Sequence, residues 1–150
     1  QRISGMFSRR GFNIDSLTVG VTENPELSRM TVTMTGDEFA RDQMIKQLSK
    51  LYDVRKIVEM TDTSSVQREL VIMKVSANSK SRQDIMDAAN VFRTKVIDFS
   101  PESVTLEITG DKSKVDAFIE IMDNYGIIEM CRTGIIAMER GNKMLKHDND

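Results

Sequence analysis

The chain has 150 residues, a net charge of −2, and 39% apolar against 29% charged residues, an ordinary globular balance with no broad basic field for nucleic acid. That length admits one large or two small domains, and no apolar run approaches the roughly 18 residues of a membrane span. The single Cys131 excludes an internal disulfide framework and suits a reducing, cytoplasmic compartment.

Gln1 to Arg10 sets Ile3, Met6, Phe7 and Arg10 at helical spacing, with Gly11 as a C-terminal stop. Because the chain opens on Gln1 inside this predicted helix, residues upstream are expected. Phe12 to Val21 favours a strand, Thr22 to Glu26 a turn around Pro25, and Ser28 to Thr35 a half-buried strand alternating Met30, Val32 and Met34 with polar residues. The two strands predict a long hairpin. Asp37 caps a helix reaching Leu51, with Met44, Ile45, Leu48 and Leu51 as its apolar stripe, and Arg55 to Met60 reads as a further strand.

The polar run Thr61 to Val66 reads as a linker. Beyond it come a strand from Glu69 to Ser76 and a helix capped by Ser79 or Ser81, with Ile85, Ala89 and Phe92 on one face. Strands at Thr94 to Phe99 and Ser103 to Thr109 follow, joined by a turn at Ser100-Pro101-Glu102. Asp111 caps a helix bearing Val115, Phe118, Ile119 and Met122, closed by Gly126. Ile127 to Met138 is the last strand region, and Gly141 to Asp150 a frayed polar tail.

The second half thus reads β-α-β-β-α-β, and the first half reads the same order without its opening strand. An offset of 74 positions carries Thr35-Gly36-Asp37 onto Thr109-Gly110-Asp111, and Met44, Ile45 and Leu48 onto Phe118, Ile119 and Met122. The predicted fold is α+β, two tandem ferredoxin-like βαββαβ domains made by duplication. Residues 1–61 form the first domain, 62–67 the linker, 68–145 the second domain, and 146–150 a disordered tail.

Catalytic chemistry is not evident. The only histidine, His147, lies in the tail; Cys131 sits in a strand and reads as buried packing; no zinc spacing or Gly-rich phosphate loop is present. The eleven Met residues fall largely on predicted apolar faces and read as core. Aromatic residues total 5% and neither Tyr lies on a central strand, unlike an RNA-binding sheet. An acylphosphatase-like enzyme would need an anion loop with a placed Arg, which is not found between Val75 and Arg82. These absences point to a non-catalytic protein.

The informative stretch is Gly11-Phe12-Asn13-Ile14-Asp15-Ser16-Leu17-Thr18-Val19. Phe12 and Ile14 point to one face and Asn13 to the other, where helix meets strand. An Asn there can donate to the carboxylate and accept from the ammonium of an amino acid, or bond to its own backbone as a turn residue.

That stretch, with Leu27-Ser28-Arg29-Met30-Thr31, resembles the regulatory (small) subunit of acetolactate synthase, also called acetohydroxyacid synthase. Val91-Phe92-Arg93, Val96-Ile97-Asp98 and Gly134-Ile135-Ile136-Ala137 resemble its second domain, with Asp116-Ala117-Phe118 and Arg140-Gly141-Asn142-Lys143 adding to the likeness. The resemblance implies an N-terminal ACT domain that pairs side by side with a second copy as a homodimer. It also implies that a branched-chain amino acid, usually valine, binds at that interface to impose feedback inhibition in branched-chain amino acid biosynthesis. Asn13 matches an effector-binding position, with Gly11 and the backbone around Ile14 beside it. The other half of the site is implied in an Asn- and Gly-containing loop upstream of Gln1. Thiamine diphosphate, magnesium and flavin (FAD) are implied in the large catalytic subunit, with no cofactor in this one. For contact with that subunit the hairpin Val19 to Met30 is the candidate, with Arg29 and Met30; the plainer alternative is a solvated loop with Arg29 pairing locally. A stand-alone ACT-type sensor acting on another enzyme or on transcription is the alternative function.

Overall fold

The structure is a computed structural model and describes residues 12–145. The predicted helix over Gln1 to Arg10, Gly11, and the tail from 146 onward lie outside the described residues. The chain divides into two compact units, one running to Val66 and taking in the segment from Ala137 onward, the other spanning Gln67–Ile136. The division lies between Val66 and Gln67, and the segment from Ala137 onward groups with the first unit.

In the first unit, β1 (Ile14–Val21) and β2 (Ser28–Met34) form an antiparallel hairpin with Leu17 opposite Val32 and Val19 opposite Met30. Its turn closes through Thr22 N–H donating to the Leu27 carbonyl at 3.1 Å and Glu26 N–H donating to the Asn24 side-chain oxygen at 3.0 Å. α1 (Glu38–Ser49) begins where expected, because the Asp37 carboxylate accepts from Ala40 N–H at 2.8 Å and satisfies one orphan donor. Met44 is the buried centre of this unit, packed by Ile14, Leu17, Val32, Met34, Leu48 and Leu51.

The strand expected at Arg55 to Met60 does not form; residues 54–60 carry no regular element. Topology supplies the reason. In the second unit the closing strand hydrogen-bonds to the opening one, and among the described residues of the first unit no strand stands in that opening position beside 55–60.

The second unit has the full order. β3 (Ser65–Ser76), α2 (Arg82–Val91), β4 (Lys95–Phe99), β5 (Ser103–Gly110), α3 (Lys112–Asp123) and β6 (Ile127–Arg132) build an antiparallel sheet with strand order β4-β5-β3-β6. β7 (Ile136–Glu139), which falls almost wholly in the segment grouped with the first unit, pairs with β3. Alternate residues Val71, Met73 and Val75 of β3 and Val104, Leu106 and Ile108 of β5 meet Ile85, Ala89, Val115, Phe118 and Met122 from the two helices in one fully buried core. Phe92 tilts against Phe118 with ring centroids 5.2 Å apart.

Four expectations need correction here. β3 begins at Ser65 and not at Glu69. The polar run before it is a hydrogen-bonded turn, in which Ser64 and Thr61 bond to each other and Ser65 Oγ, itself buried, donates to the Thr61 carbonyl at 2.6 Å. The last strand region is two strands, interrupted at Gly134, whose φ of 88° no strand accommodates. Ser81 occupies the N-cap of α2 but makes no side-chain cap bond; Asn78 Oδ1 accepts from the N–H groups of Lys80 and Ser81 instead, capping one turn earlier. Cys131 is exposed, not buried. It stands opposite Ile72 in the ladder, on the face turned away from the helices, so the strand's alternation carries it out of the core.

Candidate functional site

Asn13 enters β1 at the point where β2 leaves. Its carbonyl accepts the Thr35 N–H at 3.1 Å, which ties the start of one strand to the end of the next. The Thr35 hydroxyl donates to Asp15 Oδ2 at 2.6 Å across the same junction. Ile14 turns inward onto Met44, so Asn13 is held with its carboxamide outward and exposed. Among the described residues no hydrogen bond involves that carboxamide; the turn Asn bonded to nearby backbone is Asn24, in the hairpin.

The junction opens onto a cleft of about 360 Å³. Phe12 and Asn13 line it from the run into β1, Thr35 from the end of β2, and Phe39, Ala40, Gln43 and Gln47 from α1. None of these side chains is charged. The cleft offers three carboxamides and a hydroxyl over an apolar surface, a set that can donate and accept but supplies no net charge. Of the sequence-derived effector residues, Asn13 lines the cleft, Ile14 anchors it from the core side, and Gly11 lies outside the described residues. The α1 residues were missed by sequence reasoning. The spacing of Phe39, Gln43 and Gln47 puts them on one helix face, but a polar helix face ordinarily means solvent.

Residues 1–56 match the small-subunit-like ACT domain of acetohydroxyacid synthase, and residues 68–141 match the small subunit of acetolactate synthase. A probable acetolactate synthase small subunit of Archaeoglobus fulgidus is 51% identical over 95% of this chain and 89% of its own length. The acetolactate synthase small subunit of Mycobacterium bovis is 46% identical over 93% of this chain and 83% of its own. The crystal structure of the small subunit from Thermotoga maritima superposes with a TM-score of 0.83 at 40% identity, covering 95% of this chain and 89% of that one. The chain belongs to the acetolactate synthase small-subunit family.

The α+β fold of two ferredoxin-like units, the first of ACT type, is therefore the small-subunit fold, and the cleft at Asn13 lies in the ACT unit. The hairpin of that unit carries the other residues singled out above. Arg29 sits opposite Gly20 and Met30 opposite Val19 in the ladder, while Val19 and Val21 are 61% and 73% exposed. No ion pair holds Arg29 among the described residues, so the local pairing considered for it is not seen. Among the described residues no group of three or more His, Cys, Asp or Glu side chains is placed to hold a metal, and no helix is long and apolar enough to cross a membrane.

Proposed function

We propose that this chain is the regulatory, non-catalytic subunit of acetolactate synthase. It activates the large catalytic subunit and confers feedback inhibition by a branched-chain amino acid, valine first among them, bound where the ACT units of two copies pair. The observation that carries this reading is the outward, unbonded Asn13 carboxamide at an uncharged cleft in the ACT unit. A carboxamide both donates and accepts, which suits a ligand bearing ammonium and carboxylate on one carbon.

Twofold pairing gives two equivalent sites. A ligand bridging two protomers favours the paired arrangement, and it biases the catalytic partner only through its different affinity for two states of the complex. The condensation itself, with its thiamine diphosphate, magnesium and FAD, belongs to the large subunit, and the assembly works in the cytoplasm. The hairpin, with exposed Val19 and Val21 and half-buried Arg29 and Met30, is the part of the chain offered to that subunit.

The test is a valine titration of the reconstituted enzyme. Wild-type small subunit should raise large-subunit activity and render it valine-sensitive; Asn13→Ala should lose most of the sensitivity and keep the activation. Valine binding with no effect on acetolactate synthase would favour the stand-alone sensor, and equal inhibition of mutant and wild type would remove Asn13 from the site.

A further inference from the structure

We infer that the face of α1 formed by Phe39, Gln43 and Gln47 is the second wall of the effector site, the wall that reads the ligand's charge pattern and its apolar side chain. This rests on the reading of Asn13 above and extends it to residues of a separate element. The three positions are successive i, i+4 neighbours on one side of the helix, and all three line the cleft with Asn13. The core does not need this face, since α1 packs on the hairpin through Met44 and Leu48.

Among the described residues, no hydrogen bond involves the side chains of Asn13, Gln43 or Gln47, so three carboxamides line one small space with their donors and acceptors unused by the fold. At about 360 Å³ the cleft stands at the lower end of the roughly 300–1,000 Å³ typical of small-molecule sites. Among the described residues the lining carries no charged group, which disfavours a ligand with net charge that would be desolvated without a counter-ion. A zwitterion is different: its carboxylate takes amide N–H donors and its ammonium takes amide oxygens. Phe39 is 72% exposed, an unusual position for a phenyl ring, and with Ala40 and Phe12 it supplies apolar surface that a branched aliphatic side chain would cover. The described lining thus suits a small α-amino acid with an apolar side chain better than lysine, glutamate or another charged amino acid.

Isothermal calorimetry on the full-length protein tests this, with valine, leucine, isoleucine, glutamate and lysine as ligands. The variants are Gln43→Leu and Gln47→Leu, with Ser49→Ala as a control on the opposite face of the helix. Each Gln→Leu variant should weaken valine binding by about ten-fold or more, because charged ligand groups lose an amide partner. Ser49→Ala should bind like wild type, and Phe39→Ser should weaken valine, leucine and isoleucine together. Wild-type binding with unchanged Gln variants would overturn the second wall and leave the Asn13 reading standing. If wild type binds none of the three branched-chain amino acids, the Asn13 reading falls and the wall falls with it.

Discussion

Glu69 is the one buried acidic side chain among the described residues, and a single arginine makes its burial tolerable. Arg132 donates to Glu69 Oε1 through Nε at 2.9 Å and through Nη2 at 2.5 Å, and its Nη2 also lies 3.7 Å from Asp116 Oδ1. A charge-assisted double contact of this kind offsets desolvation only while both partners remain. Arg132→Leu should therefore lower stability by about 2–3 kcal/mol, below the upper range for a buried pair because the arginine side is 37% exposed and water stays within reach. Replacing both, Glu69→Leu with Arg132→Leu, should recover most of that loss. Urea midpoints with unchanged slopes would check it, and a double variant as unstable as the single one would contradict it. Asn13 poses the reverse case: its polar side chain is exposed and unbonded, so Asn13→Ala should leave the urea midpoint within about 0.5 kcal/mol of wild type while altering valine response.

The two Gly-Asp junctions show what an element owes to its local sequence. In both units a strand ends, a glycine lets the next helix close in, and an aspartate caps it: a Cβ on Gly36 would stand 3.2 Å from Ala40 Cβ, and one on Gly110 would stand 2.6 Å from the Lys114 side chain. Asp37 accepts from Ala40 N–H and Asp111 from Lys114 N–H, three residues on in each case. This repeated chemistry is why strand, turn and helix were readable around positions 35 and 109. The bond from Lys114 N–H, then that from the Ser113 hydroxyl, hold the Asp111 carboxyl below the usual carboxylate value. A carboxyl depressed in the folded state stabilises fully above its unfolded value, about 3.9, and that contribution fades as pH falls through the folded value. Asp111→Asn keeps an acceptor without the titration, so the stability gap between wild type and variant should be present near neutrality and shrink below about pH 4. Thermal melts across that range report it, and a gap that widened in acid would reverse the assignment. Long-range pairing was not readable in the same way. The strand expected at 55–60 has an apolar pattern but depends on a neighbour, Cys131 depends on register with Ile72, and Gly134 breaks a run that looks continuous. The cleft combines both cases, since the motif around Asn13 is local whereas its neighbours on α1 become visible only once the hairpin and helix are packed.

At the level of the whole chain, the two units differ in how much they bury. The second encloses twelve buried apolar residues, from Val71 to Met122, in one core; the first centres on Met44 alone among the described residues. Burial of apolar surface is the main source of stability, so on the described residues the ACT unit is expected to be the weaker of the two and the one whose state a small ligand shifts most easily. A regulatory subunit gains from this division: a well-packed unit keeps the chain folded while a marginal one responds. Calorimetry of the full-length protein should accordingly resolve two transitions, with the ACT unit melting first. Valine at about one hundred times its Kd should add roughly 2.7 kcal/mol to the state that binds it, moving the lower transition upward and leaving the upper one in place. Asn13→Ala should abolish that shift without changing the ligand-free melt. A single transition, or a valine shift confined to the upper one, would mean that sensing is not carried by the unit with the thinner core.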